Sequence, residues 1–280
     1  MSLTARGHVA TALLLLPALL FIAVWFVTPL AQLFQLSVSD KAGPFAPYAQ
    51  LLGSEVYRRV FVNTLWLALT VMTISVLLAY PTAYVLTRLK GWWWTLAFYC
   101  VLFPFWISVL IRTFAWMLLL EKNGPINRAL LELGAIDRPL ELLFNAGSVH
   151  IGMVHVLLPY AVLPIYAAMI RVDHRLLLAS DGLGAAPLMT FLRIYLPLTM
   201  PGVTAAAVFV FLLALGFFIT PALLGGVSAI TVAMLIEQLV NERLVWSLAG
   251  AASFILLAVI FLLLALAARF VPLGQALVAR

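Results

Sequence analysis

Charge is scarce in this sequence. Only 9% of its 280 residues are Asp, Glu, Lys or Arg, while 65% are hydrophobic. A soluble globular domain carries about 25% charged residues. A core cannot absorb that imbalance, so the composition excludes a soluble protein and requires a membrane. Cysteine is nearly missing as well: Cys100 is alone, which excludes an intrachain disulfide or a cysteine metal cluster. A G-x-x-x-x-G-K-[ST] phosphate loop is absent, since Lys41, Lys90 and Lys122 are not preceded by its glycines. The chain therefore does not hold ATP in that way. No Asp or Glu falls inside the long apolar runs, which counts against a self-sufficient secondary carrier. Two histidines and one arginine are thin material for a membrane-embedded enzyme. The net charge of +6 sits in short loops beside apolar runs. It reads as a topology signal and not as a surface for nucleic acid.

What is abundant is apolar sequence in long runs. A span needs about 20 mostly apolar residues. Candidates lie near 10–36, 60–87, 93–119, 149–170, 201–224 and 246–268. The first run, Val9 to Ser39, is about twice the apolar core of a cleavable signal, so a retained span is expected. Between Ile194 and Ile236 the run is long enough for nearly two spans. Pro197 and Pro201 are expected to break its start, and Gly225-Gly226 to end its apolar middle. The following AITVAMLIEQLVNERL is too short to cross again before Glu237 and reads as an external amphipathic segment. The prediction is an all-α, polytopic membrane protein with six transmembrane helices. It forms one domain over 1–280, with external segments 37–58, 121–148 and 226–245 and an internal loop 172–200.

Starting inside, six spans place Arg6, Arg88, Lys90, Arg171, Arg175, Arg193, Arg269 and Arg280 on the inner side. Lys41, Arg58, Arg59, Lys122, Arg128, Arg138 and Arg243 fall outside. The near balance gives the positive-inside rule little to work with. Trp92, Trp93 and Trp94 beside Lys90 fit an interfacial belt. Pro17, Pro29, Pro81, Pro104, Pro159, Pro164 and Pro221 fall in or near spans. Broken helices are tolerated where neighbours or a wet cavity satisfy the freed backbone, so these prolines point to a bundle around a path.

The loop LASDGLGAAPLMTFLRIYLPLTMPG, residues 178–202, is too broken to cross. Asp173 to Asp181 reads as a short helix, ended by Gly182 and Gly184, which permit a tight turn. Pro187 suits the first position of a second helix. Leu188, Phe191, Leu192 and Tyr195 recur at helical spacing. The product is a helix–turn–helix elbow with an apolar outer face. It can serve as a knob for another protein's groove or lie flat on lipid.

This segment resembles the cytoplasmic coupling loop of ABC importer permeases, written E-A-A, three residues, G, nine residues, I-x-L-P. Here Gly184 is followed by nine residues and then Ile194-Tyr195-Leu196-Pro197. Ala179 and Ser180 take the two alanine positions. The glutamate position is Leu178, and the acid often found two before the glycine falls at Gly182, with Asp181 beside it. The glycine half of the motif is present and the acidic half is not, so docking through shape and apolar contact is implied. The resemblance covers nearly the whole chain. Asn63-Thr64-Leu65 and Tyr80-Pro81-Thr82-Ala83-Tyr84 are similar to the permease pattern. Ile111-Arg112-Thr113-Phe114-Ala115-Trp116, Gly124-Pro125-Ile126-Asn127, Gly152 to Pro159 and Phe218 to Gly226 resemble the spermidine/putrescine branch.

The resemblance implies a type I ABC importer permease fold in a bacterial inner membrane, with both termini cytoplasmic and a coupling helix between spans four and five. It implies that Leu178, Ala179, Ser180, Asp181, Gly184, Ala185, Pro187 and Leu188 couple to an ATPase. The implied partners are a second permease, usually a different chain, two ATP-binding subunits carrying ATP and Mg, and a periplasmic or extracellular substrate-binding protein. The chain itself carries no cofactor and is a transport subunit, not an enzyme. The implied solute is a polyamine such as spermidine or putrescine; opines, phosphonates, iron or another small anion are the alternatives within the class.

Candidate path or gate residues are Arg112, Trp116, Gly216, Phe217, Phe218 and Pro221. Arg112 is the one formal charge deep in a span, and intramembrane charges are costly. It can pair with a carboxylate of a partner chain, snorkel to the outer interface, or meet solute. Trp116, Phe217 and Phe218 offer aromatic faces to a cation or plain packing. Gly216 and Pro221 suit a bend near a gate. His150 and His155 can titrate or bind metal, but lack a third ligand nearby, so packed histidines are expected. Ala205-Ala206-Ala207 and the stretch Ala249 to Ser253 offer small surfaces for close helix contact.

Overall fold

The computed structural model describes residues 14–226 and 229–270, and for 267–270 the helix alone. Arg6, Arg280, the Arg269 side chain, the opening residues 10–13 of the first span and residues 227–228 of the last external segment lie outside the described residues. Among the described residues the only regular structure is helical. In chain order the helices are α1 (Leu14–Val38), α2 (Ala46–Gly53), α3 (Glu55–Arg88), α4 (Gly91–Leu102), α5 (Val109–Leu120), α6 (Pro125–Glu132) and α7 (Ala146–Met169). They continue with α8 (His174–Gly182), α9 (Pro187–Leu215), α10 (Ile219–Leu224), α11 (Val232–Asn241) and α12 (Trp246–Phe270). Five of them, α1, α3, α7, α9 and α12, contain stretches long and apolar enough to cross a bilayer.

The predicted third span is not one straight helix. Its place is taken by two helical stretches, Gly91–Trp106 and Val109–Glu132, bent by 102° at the break between them. Pro104 supplies no amide proton, and Phe103–Trp106 tightens into a 3-10 turn before Ile107 and Ser108 become extended. Pro81, Pro159 and Pro164 sit inside unbroken helices. Neighbouring helices enclose α7, whereas Phe103, Phe105 and Trp106 are exposed. The Trp92–Trp94 belt also divides: Trp92 and Trp93 are exposed, but Trp94 turns inward, stacks on Phe98 and donates a 3.0 Å hydrogen bond to the Tyr166 hydroxyl.

The fifth span differs from expectation in two ways. Pro197 and Pro201 do not stop the helix; before Pro197, Phe191–Tyr195 forms a π-turn and Leu196 N–H bonds to the Phe191 carbonyl five residues back, and Pro201 lies within the α-helix that follows. The widened turn accommodates a proline that would otherwise clash with the carbonyl four residues back. The helix then ends at Leu215 instead of near 224, and Gly216 to Phe218 separates it from α10.

The chain divides into two compact units. One comprises the residues through Arg58 with Ile236–Ala258. Its contact between α1 and α12 is close. A Cβ on Gly250 would lie 3.1 Å from the Leu33 carbonyl oxygen and from Ser37 Cβ, and Phe34 and Phe254 meet edge to face. Small residues permit such approach, which is how helices associate where apolar burial gives no advantage over lipid. Tyr48 of α2 hydrogen-bonds Ser37 at 2.8 Å, and the Ser247 hydroxyl donates to Asp40 Oδ2 at 2.6 Å.

The other unit comprises Arg59–Leu235 and the residues from Val259. On α3, Leu67, Ala68, Val71, Ala79, Ala83 and Leu86 recur at helical spacing and form its buried face. On α7, buried residues occur almost all round, from Val149 through Met153, Leu157 and Val162 to Met169. It is the central helix of the unit. It packs along α9, most closely where a Cβ on Gly202 would meet Ala168 and lie 2.7 Å from the Pro164 carbonyl. Ala206, in the predicted small-residue stretch, and Val210 and Ala214 continue the buried face of α9.

Candidate functional site

The elbow forms from local chemistry. The Asp173 carboxylate accepts the Arg175 N–H at 2.9 Å and caps α8. At the other end Ala185 N–H reaches the Ser180 carbonyl at 3.2 Å and Gly184 N–H reaches Asp181 at 2.9 Å. This is the paired bond pattern of a Schellman turn, and it needs a left-handed residue, which Gly184 supplies at φ +78°. Gly182 lies inside the helical limit and is not left-handed. Pro187 opens α9 as expected.

The structure separates the predicted coupling residues into a surface and a support. Leu178, Ala179, Asp181, Gly184, Pro187 and Leu188 are exposed, Ala185 is half-buried, and Ser180 is buried. Leu183, which the sequence reading passed over, is 89% exposed at the apex, with Met189 exposed beside Leu188. These apolar side chains crowd on the turn between two helices and are left uncovered by the rest of the described residues. Beneath it, Ser180 Oγ and Thr190 Oγ1 share a 2.8 Å hydrogen bond, both residues buried. The bond ties α8 to the first turn of α9. Thr190 carried no sequence signal beyond being a polar residue between Leu188 and Phe191.

A second set of contacts locks α3 to α9. Tyr80 meets Phe191 edge to face and its hydroxyl lies 3.0 Å from Thr199 Oγ1. Tyr84 meets Tyr195 edge to face, and Arg88 donates to the Tyr84 hydroxyl at 2.7 Å while lying over its ring. The aromatics of the Tyr80-to-Tyr84 motif thus grip the π-turn that leaves the elbow.

The candidate path residues fall around α5, α7 and α10, which pack together. Thr113 and Thr220 hydrogen-bond at 3.1 Å, and Trp116 Nε1 donates to His155 Nδ1 at 3.1 Å. Gly152 lets α10 approach, since a Cβ there would lie 2.6 Å from Leu224 and 2.7 Å from Thr220. Ser148 Oγ donates to the Leu224 carbonyl at 2.8 Å. Pro221 is buried, Phe217 packs partly into the core, and Gly216 and Phe218 are exposed at the break. Arg112 is buried at 8% exposure, which excludes a side chain extended into lipid. His150 lies 2.7 Å from Thr70 Oγ1, so both histidines have ordinary hydrogen-bond partners. Elsewhere Asn127, within Gly124-Pro125-Ile126-Asn127, is buried and bonds Leu140 through both its amide groups. It folds the 121–140 connection back on itself.

Five long apolar helices, with an exposed elbow between α7 and α9, define a polytopic membrane protein of the permease kind. Comparison with known proteins agrees. The spermidine/putrescine transport system permease protein PotB of Escherichia coli K12 is 37% identical over 218 residues, covering 78% of each chain. The inner membrane ABC transporter permease protein YdcU of the same strain is 33% identical over 221 residues, covering 74% of this chain and 69% of that one. A bacterial ABC transporter that imports the acidic polysaccharide alginate shares the fold, with a TM-score of 0.76, 19% identity and coverage of 99% and 98%. No protein-family model matches. The chain belongs to the PotB family of ABC importer permeases. It is a multi-pass inner-membrane transport subunit and not an enzyme.

Proposed function

We propose that this permease forms half of the translocation path of an ATP-driven polyamine importer. The observation that carries the solute class is the identity to PotB proteins, whose name specifies spermidine and putrescine, over most of both chains. The partners are a second, different permease chain, two ATP-binding subunits that hold ATP and Mg, and a substrate-binding protein on the outer side. Both termini and the elbow face the cytoplasm.

In this reading the elbow docks on the ATPase through Leu178, Ala179, Leu183, Leu188 and the backbone around Gly184. Ser180 and Thr190 keep its two arms at a fixed angle. Closure of the ATPase pair moves the elbow, and α9 carries the motion into the bundle. The spans then alternate between inward- and outward-open forms around the solute. Trp116, Phe217 and Phe218 supply faces for an ammonium group, and Gly216 and Pro221 give the path its bend.

A second reading, import of a small anion such as a phosphonate or opine, draws on the buried cation at Arg112. Reconstitution with the ATPase, the second permease and the binding protein separates the two. ATP-dependent uptake of labelled spermidine or putrescine, blocked by excess of either, is the expected result. Uptake of the anion alone refutes the polyamine reading, and uptake without ATP refutes the importer reading.

A further inference from the structure

Arg112 lies in the first turn of α5, and the structure gives it no counter-ion. Its Nε is buried without a hydrogen-bond partner. The residue as a whole keeps 8% of its surface accessible, so a group outside the chain has a narrow approach to it. The side chain does not run out to a headgroup, because the residue as a whole is buried. About 14 Å of helix separates it from Glu121, the nearest acid in sequence.

The chain cannot satisfy this cation by itself. Its acids are Asp40, Glu55, Glu121, Glu132, Asp137, Glu141, Asp173, Asp181, Glu237 and Glu242. None lies on α5, or on α7 and α10, which pack against it. A charge in such surroundings is expensive unless it is paired. A solute occupies the path for only part of each cycle, so it cannot stabilise the resting protein. A polycation would also be repelled. What remains is a resident carboxylate from another polypeptide.

We infer that Arg112 is the fixed cation of an interface site that receives a carboxylate from a membrane span of the second permease chain. The inference rests on the reading that this chain works as one of two different permeases. A guanidinium suits the role because its planar fork matches a carboxylate, whereas an ammonium does not. Arg112 would thereby favour a sister chain that carries a carboxylate well inside a span; on the five long helices of this chain the one acid is Glu55, at the first residue of α3.

The test uses the full complex. R112Q and R112K are made in this chain, and the amount of second permease co-purifying is measured with ATP-driven uptake. R112Q should lower retention of the sister chain at least tenfold, and R112K should hold an intermediate amount. Each Asp and Glu within the sister chain's spans is then neutralised in the R112Q background, and one of them should restore pairing by removing the stranded charge. Wild-type pairing in R112Q overturns the inference, as does failure of every neutralisation to restore it. Intact pairing with a changed preference between cation and anion uptake also overturns it, by placing Arg112 in the solute path. A native complex containing two copies of this chain alone overturns it too. By contrast, pairing that depends on Arg112 in a complex that imports no polyamine leaves the inference standing and refutes the proposed solute.

Discussion

Replacing Gly184 isolates what the backbone of the elbow contributes. The residue is left-handed at φ +78°, and nothing lies within 4 Å of the position a Cβ would take. A substitution therefore meets no steric obstacle within the chain, and its cost is conformational. For an ordinary L-residue that cost is about 1–2 kcal/mol. Asparagine tolerates the left-handed region better, and a β-branched residue less well. One to two kcal/mol is roughly a 5- to 30-fold change in the population of the native turn. The expected order of ATP-coupled uptake is wild type, then G184N, then G184A, then G184V, with valine at least tenfold down. Assembly of the bundle, read by gel filtration, should not change. The assay is uptake per ATP hydrolysed in proteoliposomes. If G184V couples like wild type, the turn does not transmit motion. If G184N is as poor as G184V while G184A is good, bulk at the docking surface matters and the conformational argument fails.

Three further outcomes follow from named contacts. S180A and T190V each strand a buried hydroxyl, so each should cost about 1–3 kcal/mol; the double variant should cost less than their sum in thermal unfolding, and strict additivity would refute the shared bond. G202L drives a side chain into the Pro164 carbonyl and Ala168, and should lower resistance to unfolding in detergent by about 1–3 kcal/mol; an unchanged transition would mean α7 and α9 do not meet there. Asp40 lies outside the spans, and the Ser247 hydroxyl and then the Ala42 N–H hold its carboxyl below the usual carboxylate value. Because the folded value is depressed, that contribution is present at neutral pH and lost as pH falls through it. S247A should raise the Asp40 value in an NMR titration and should differ from wild type less in strong acid than at neutral pH.

The sequence made the elbow legible because its geometry is set by few residues. Gly184 permits a left-handed turn, Asp173 caps and Pro187 starts a helix, and each does so through local backbone chemistry. The positions of five spans were equally plain from apolar length. The break at Pro104 was not, since Pro81, Pro159 and Pro164 stand in similar apolar runs and remain inside helices. Nothing in the proline itself separates them, and burial does not either: Pro81 is exposed within α3, whereas Pro104 is half-buried at the break. The π-turn at Phe191–Tyr195 was hidden for a related reason, because Pro197 has the same covalent constraint whether the turn before it is α or π. The Ser180–Thr190 bond and the Tyr80 and Tyr84 contacts join residues whose meeting depends on the completed turn. Among the path candidates, the identity of Arg112 as a lone charge was visible, but its burial beside the packed α5, α7 and α10 cluster was not.

The unbroken course of α9 has a mechanical result. At about 1.5 Å per residue its 29 residues make a rod roughly 43 Å long. A tilt of about 5° at the elbow end swings the opposite end through nearly 4 Å, comparable to the diameter of a methylene chain. Under the proposed coupling, a small stroke at the elbow would be multiplied into a displacement wide enough to admit or shut out a slender molecule, with Gly216 as the point where the lever stops.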